Sequence, residues 1–535
     1  MLRLSQNRLI AISAIFFTLF YNYKFFKDLF NTYGFNGSNI LYFLSISVVL
    51  TFLIIALFTL FSSKYTTKPI LMTLFVVSAF TAYFMDTYSV VIDTEMIRNS
   101  LQTSLKESVD LFSFRLIFYI VFLAILPAYI VYKTRINYKS FKGELLSKLK
   151  TIVLALVVIF VIVFSFSKFY TSFFRENKPL RYNINPIYWM YSIGNYVHKT
   201  LDTAPTEIKD IGLDSKVVEV KDEPKELIIL VVGETARADR FSLNGYSKET
   251  NPLLKQENLV SFTDMYSCGT STAHSVPCMF SIFPKDDYSY KKGAGTKNVL
   301  DVLKNTQDIA ILWRDNNSDS KGVALRVDYE NYQTSDTNTI CDDECRDEGM
   351  LVGLEDYIEK NKGRDILIVL HQMGNHGPAY YKRYPKEFEK FTPVCKTNQL
   401  ENCTGEEINN AYDNAILYTD YFLSKTINFL KKYENTHETG MLYVSDHGES
   451  LGENGIYLHG MPYAIAPKEQ IKVASLIWLG DGQMAHEYDK SKIKDNKDKE
   501  YSHDNLFDTL LGLFEVKTEV YKKDLDILYD ARKPE

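Results

Sequence analysis

Hydrophobic residues are spread unevenly along the chain. Before about residue 170 they gather into five long apolar stretches, at residues 9–26, 40–61, 70–85, 116–132 and 151–166. A helix needs roughly 17–25 apolar residues to cross a bilayer core, so these stretches predict five transmembrane helices, the third extending at both ends. No small-residue cleavage site follows the first stretch, which therefore reads as an anchor rather than a signal peptide. After residue 225 the pattern changes. Short apolar runs at residues 227–232, 366–370 and 441–444 end in Gly233-Glu-Thr235, His371-Gln-Met-Gly-Asn-His376 and Ser445-Asp-His-Gly448. Such runs predict buried strands of a parallel sheet, with helical patterns such as residues 411–431 between them. The expected architecture is an α-helical membrane domain at 1–170, an interfacial bridging segment and linker at 171–224, and an α/β soluble domain at 225–535.

Basic residues orient the spans. Arg3 and Arg8 precede the first, Lys64 and Lys68 lie between the second and third, and Lys133, Arg135, Lys139, Lys142, Lys148 and Lys150 precede the fifth. These loops belong on the cytoplasmic side, which places everything after the fifth span outside the cytoplasm. The residues that lead into and open the bridging segment are aromatic and basic, among them Phe169, Tyr170, Phe173, Arg175, Tyr188 and Trp189, and suit a membrane interface. In the external loop after the third span, Asn99, Thr103 and Glu107 recur every four residues. That spacing predicts one polar face of a helix, either merely solvated or holding a lipid head group.

Cysteine usage agrees with the external placement. All six cysteines lie in the soluble half, in close pairs: Cys268 with Cys278, Cys341 with Cys345, Cys395 with Cys403. Three short disulfide loops are expected, and hence an oxidising compartment. The net charge of −6 is mild and points to no nucleic-acid partner.

Polar residues emerge just past the predicted strand ends, where open α/β sheets bind ligands. Glu234, Asp446 and His447 supply two carboxylates and an imidazole, all zinc-ligand types, and His376 and His459 follow similar glycine-containing turns. One such residue alone is more often a cap, but several strand ends share this character. Cys268-Gly-Thr-Ser-Thr-Ala-His-Ser-Val-Pro-Cys278 carries four hydroxyls, Thr270, Ser271, Thr272 and Ser275. Any of them is a candidate for a metal-activated nucleophile, and helix capping is the alternative use. The polar turn at residues 313–322 offers Asn317, Ser318 and Lys321 to phosphate oxygens.

These motifs, in this order, resemble the lipid A phosphoethanolamine transferases, a family that includes the mobile colistin resistance enzymes. The resemblance rests on the segments Val232–Tyr246, Cys268–Cys278, Arg314–Lys321, His371–Pro378 and Ser445–Gly455. It implies an alkaline-phosphatase/sulfatase-like fold for the soluble domain. By matching position it makes Thr272 the nucleophile. Glu234, Thr272, Asp446 and His447 then hold one catalytic Zn2+, and His376, His459 and Lys321 contact phosphate or a second metal. It also supports Asn99, Thr103 and Glu107 as lipid contacts. His274 stands where some relatives carry Tyr, which gives that histidine no essential role. The implied reaction moves phosphoethanolamine from phosphatidylethanolamine through a phospho-threonine to lipid A, with a core sugar or surface protein as alternative acceptors. His376 or His459 would serve as general acid or base. The implied setting is a bacterial inner membrane with a periplasmic catalytic domain, and a monomer is expected. Rival functions are a phosphoglycerol transferase or phosphodiesterase of the same fold, and a non-enzymatic membrane sensor of metal or peptide. A sulfatase would need a CxPxR-type signature, which is not visible.

Overall fold

The structure is a computed structural model describing residues 3–34, 37, 39–103, 108, 111–201, 207–218 and 224–533. Its contacts divide the chain into two units, one holding Met1–Ile97 and Phe112–Val197, the other Arg98–Leu111 and His198–Glu535.

In the first unit, four helices are long and apolar enough to span a membrane: Ile40–Phe61, Thr67–Tyr88, Phe114–Lys133 and Phe141–Ser165. The first predicted span differs from expectation. It is a pair of helices, Gln6–Phe20 and Tyr23–Tyr33, bent by 54°. The break has a side-chain cause: Asn22 Nδ2 donates to the Phe17 carbonyl at 3.0 Å and to the Asn185 carbonyl at 2.8 Å, competing with the helical ladder. The last span starts at Phe141, well before its apolar stretch, because Ser140 caps it by accepting from the Gly143 N–H. From Thr151 on, that helix is apolar all round and mostly exposed, as suits a lipid-facing element, whereas Thr67–Tyr88 is the most enclosed. The aromatic residues of the bridging segment pack into this unit. Phe169 stacks on Tyr42 at 4.4 Å, Tyr170 meets the Ser45 hydroxyl at 3.0 Å, and the Trp189 indole donates to Asn185 Oδ1 at 3.0 Å.

The second unit is built on an eight-stranded sheet. In chain order its strands are β1 (Lys225–Gly233), β2 (Leu259–Tyr266), β3 (Ile309–Asp315), β4 (Asp328–Asn331), β5 (Asp365–His371), β6 (His437–Ser445), β7 (Lys472–Leu479) and β8 (Tyr501–Ser502). Their spatial order is β8-β2-β7-β6-β1-β5-β3-β4. β1 lies between β5 and β6 and is parallel to both, and β3 is parallel to β5. β7 runs antiparallel to β6 and β2, so the sheet is mixed. β1, β3, β5 and β6 are buried along almost their whole length, which explains their continuous apolar runs. One sheet face packs Ile228, Leu230 and Val232 against Val276 and Met279 of the Thr272–Met279 helix and Leu510 and Leu511 of the Leu506–Leu513 helix. Gly233 pairs with Ser445, Val232 with His371, and Asp315 with His371. The register therefore brings four strand ends to one edge of the sheet.

Candidate active site

At that edge β1 and β6 deliver the acidic groups. Glu234, Asp446 and His447 are fully buried, and their ligand atoms lie within 4.8 Å of one another. Hydrogen bonds orient each of them. Asp446 Oδ1 accepts the amides of His447 at 2.7 Å and Thr235 at 3.2 Å. Glu234 Oε2 accepts Asn317 Nδ2 at 2.8 Å. His447 Nδ1 donates to the Gly448 carbonyl at 2.9 Å, so Nε2 presents a lone pair to the cluster. That lone pair faces Glu234 Oε1 at 3.4 Å and Asp446 Oδ2 at 3.3 Å. Both oxygens are buried without a hydrogen-bond partner. Lone pair against carboxylate is repulsive by itself and becomes favourable around a cation. The residues thus fit a small divalent metal ion.

Burial and mutual charge act in the same sense on the cluster's acid–base balance. Burial, and then the charge of Asp446, holds the Glu234 carboxyl well above its usual range. Burial pushes Asp446 up to about 7 against two amide donors that pull it down. Burial and the neighbouring His459 drive the His447 pKa well down. Local backbone strain accompanies this chemistry, since the β-branched Thr235 sits at φ 54°. Gly374, at φ 52°, is a close-approach residue. A Cβ there would stand 2.9 Å from the Glu234 carbonyl oxygen.

The disulfide-closed loop brings up the hydroxyls, and the structure separates the four. Thr272, first residue of the Thr272–Met279 helix, points its Oγ1 at Glu234 Oε2 (3.1 Å) and His447 Nε2 (3.3 Å). Thr270 donates to the Met461 carbonyl at 2.7 Å, Ser275 donates to the Asp446 carbonyl at 2.5 Å, and Ser271 is the helix N-cap residue. All three disulfides are formed: Cys268–Cys278, Cys341–Cys345 and Cys395–Cys403.

Two further histidines line the same space. The His459 ring lies 4.3 Å from that of His447 and 5.5 Å from that of His376. Burial first, then the His459 charge, holds the His376 pKa well below its usual value. In the polar turn after β3, both Asn317 amide hydrogens are engaged, on Glu234 and the Gln372 carbonyl at 2.8 Å each. Asn317 therefore orients a carboxylate rather than opening toward a phosphate. Lys321, whose φ is 49°, donates to the Ser318 hydroxyl at 2.6 Å. Asn99 lies on the Thr94–Gln102 helix. Thr103 follows the end of that helix, its hydroxyl turned back on the Asn99 carbonyl at 2.8 Å. Glu107 lies outside the described residues.

Sequence reasoning missed several residues that act through the others. Glu449 is buried and holds His459 Nδ1 at 3.0 Å. Its place three residues after Asp446, in the same turn, was the available signal. Asp347 is buried and accepts the amides of Met373 at 2.9 Å and Gly374 at 3.1 Å together with Asn316 Nδ2 at 2.8 Å, tying two site turns together. His503 is buried between β6 and the Cys268–Cys278 loop, and burial pushes its pKa down to about 4. Asp347 follows no strand, and the two-residue β8 just before His503 writes no apolar run, so neither residue stands out in the sequence.

Residues 50–201 match the family described as phosphoethanolamine transferase EptA/EptB, and residues 226–516 match the family described as Sulfatase. The phosphatidylethanolamine transferase Mcr-2 of Escherichia coli is 44% identical over 519 residues, covering 95% of each chain. The phosphoethanolamine transferase EptA of Escherichia coli strain K12 is 39% identical, over 98% of this chain and 96% of its own. Among solved structures, the integral membrane lipooligosaccharide phosphoethanolamine transferase A (EptA) of Neisseria meningitidis matches with a TM-score of 0.95 at 34% identity, covering 100% of each chain. Likeness of this extent runs through the membrane helices and the soluble sheet alike, and the chain belongs to the phosphoethanolamine transferase family.

Proposed function

We propose that this chain is a zinc-dependent phosphoethanolamine transferase of the bacterial inner membrane, with its soluble domain in the periplasm, that carries phosphoethanolamine from phosphatidylethanolamine to lipid A. The observation that carries this reading is the convergence of the Thr272 hydroxyl with Glu234, Asp446 and His447, whose facing oxygens are orphaned. Glu234, Asp446, His447 and Thr272 would hold the ion, and zinc bound there lowers the pKa of a hydroxyl and withdraws charge from phosphoryl oxygens.

The chain's own residues supply the rest. The Thr272 oxygen, having given its proton to solvent before the cycle, forms a bond to the donor phosphorus while the phosphorus–oxygen bond to diacylglycerol breaks. The departing oxygen takes a proton from His376 or His459, whichever faces it. The donor phosphate's own charge raises the basicity of these buried rings on arrival. Lys321 and Ser318 would bind the non-bridging oxygens. In the second half, an acceptor oxygen loses its proton to the same histidine and attacks phosphorus, and the bond to Thr272 Oγ1 breaks. The Thr272 oxygen is thereby regenerated. The product carries an added ammonium group, which lowers the negative charge of the outer surface and weakens binding of polymyxin and other cationic peptides.

Asn99, Thr103 and Glu107 are proposed as contacts of the lipid donor. Mass spectrometry of lipid A from cells with and without the protein tests the whole reading. A phosphoethanolamine adduct should appear with the protein and be missing with the Thr272→Ala form. Identical lipid A in all three would refute it.

A further inference from the structure

The groups that meet at the site come from distant parts of the chain: Thr272 and His447 are 175 residues apart. Attack on phosphorus tolerates little misplacement, and an error of about 1 Å costs on the order of 100-fold in rate. Something must set the nucleophile loop against the end of β6. His503 bridges them. Its Nε2 lies 2.9 Å from the carbonyl of Ser445, the residue before Asp446. Its Nδ1 lies 3.1 Å from the amide nitrogen of Cys268, which opens the nucleophile loop. A carbonyl only accepts and an amide only donates, so Nε2 carries the proton and Nδ1 a lone pair. One neutral tautomer satisfies both bonds, and the planar ring fixes their separation. The Ser275 hydroxyl, on the nucleophile helix, sits 3.3 Å from the same Nδ1 and donates to the Asp446 carbonyl.

His503 is itself well held. A capping box fixes its backbone: the Ser502 hydroxyl accepts the Asp504 amide, and the Asn505 side chain accepts the Ser502 amide. A small internal cavity of about 30 Å³ adjoins the ring, lined by Met265, Leu442, Val444 and Leu506 among others. We infer that His503 is a positioning residue of the transfer reaction, a rigid spacer that sets Thr272 against Asp446 and His447 while touching neither substrate nor metal. The inference rests on the proposed roles of those three residues.

The test uses the full-length protein in membranes, with three variants. His503→Leu removes both bonds, His503→Gln can keep the donor to Ser445, and His503→Asn can keep the acceptor for Cys268. Measured are kcat and KM with phosphatidylethanolamine vesicles, zinc retained per chain after dialysis, and the melting temperature. In His503→Leu, kcat should fall about 100-fold with KM nearly constant and zinc retained less well, and each single-bond variant should recover about tenfold. A kcat for His503→Leu within about threefold of the unaltered protein overturns the assignment, as do losses that merely track the folded fraction in all three. If His503→Leu fails to fold, Gln and Asn decide: lowered kcat at an unchanged melting temperature supports the spacer, and unchanged kcat in both refutes it. Thr272→Ala is run alongside. Activity surviving there would overturn the functional reading itself, an outcome separate from any His503 result.

Discussion

His459 Nδ1 lies 3.0 Å from Glu449 Oε2, and the other oxygen of that carboxylate accepts the Tyr380 hydroxyl at 2.8 Å. The carboxylate orients the ring and would balance its charge if His459 is the proton donor proposed for the leaving group. Glu449→Gln keeps an acceptor but removes the charge, and should lower kcat roughly 10- to 100-fold with little change in KM. Tyr380→Phe should do less, because the carboxylate remains. Steady-state kinetics on the lipid donor checks both.

Thr272→Ala should abolish transfer, a loss on the order of 1,000-fold or more, while the protein stays folded in the membrane. Thr270→Ala should be milder. The Thr270 hydroxyl serves the Met461 carbonyl and so supports the His459 turn rather than the reacting atoms. Trapping of a labelled phospho-enzyme from the donor lipid should succeed with the Thr270 variant and fail with the Thr272 variant.

Chelation should remove activity and added zinc restore it, and the metal-free protein should show a distinctive pH dependence. Burial raises the folded pKa of Asp446 to about 7 from an ordinary 3.8, and raises Glu234 in the same direction. At these two carboxyls the folded chain binds more protons than the unfolded one, which makes stability fall as pH rises, while the depressed His376, His447 and His503 act in the opposite direction below their ordinary value of 6.5. Melting temperature after chelation should therefore drop from about pH 7 toward pH 8, where the histidines are neutral in both states, and zinc should restore most at the high end, because it replaces the protons. A flat profile in the chelated protein would contradict this account.

If Asn99 helps to grip the donor lipid, Asn99→Ala should impair transfer from phosphatidylethanolamine far more than cleavage of a small water-soluble phosphodiester. A small substrate reaches the strand-end cluster without help from a lipid-facing contact. Equal loss on both substrates would indicate damage to the fold, and no loss on either would leave Asn99 on a merely solvated helix.

What the sequence revealed followed from local signals. Spans and central strands were legible because burial on every side writes continuous apolar runs. Glu234, Asp446 and His447 were legible because each closely follows such a run. The bend at Asn22 was not, since one asparagine in an apolar stretch shows nothing of the distant Asn185 carbonyl it binds. The antiparallel β7 and the order of the strands depend on pairings between remote segments, which no local pattern encodes. The choice among four hydroxyls needed the helix beginning at Thr272 to aim one of them. His503 stands 58 residues from the carbonyl it serves, and only folding makes that relation visible.

The hydrogen bonds that orient the two acidic groups also decide how each can bind an ion. Asn317 occupies one oxygen of Glu234, and two backbone amides occupy one oxygen of Asp446. Each carboxylate therefore turns its other oxygen, the one without a hydrogen bond, toward the ion site, which disfavours clasping an ion with both. Calcium, which takes six to eight oxygens and favours such clasping, finds too few here, and magnesium finds an imidazole where it prefers water. Two single oxygens, one nitrogen and one hydroxyl make a sparse donor set, of the kind the proposed zinc would accept. Selectivity among ions is thus written in the groups around the ligands as much as in the ligands themselves.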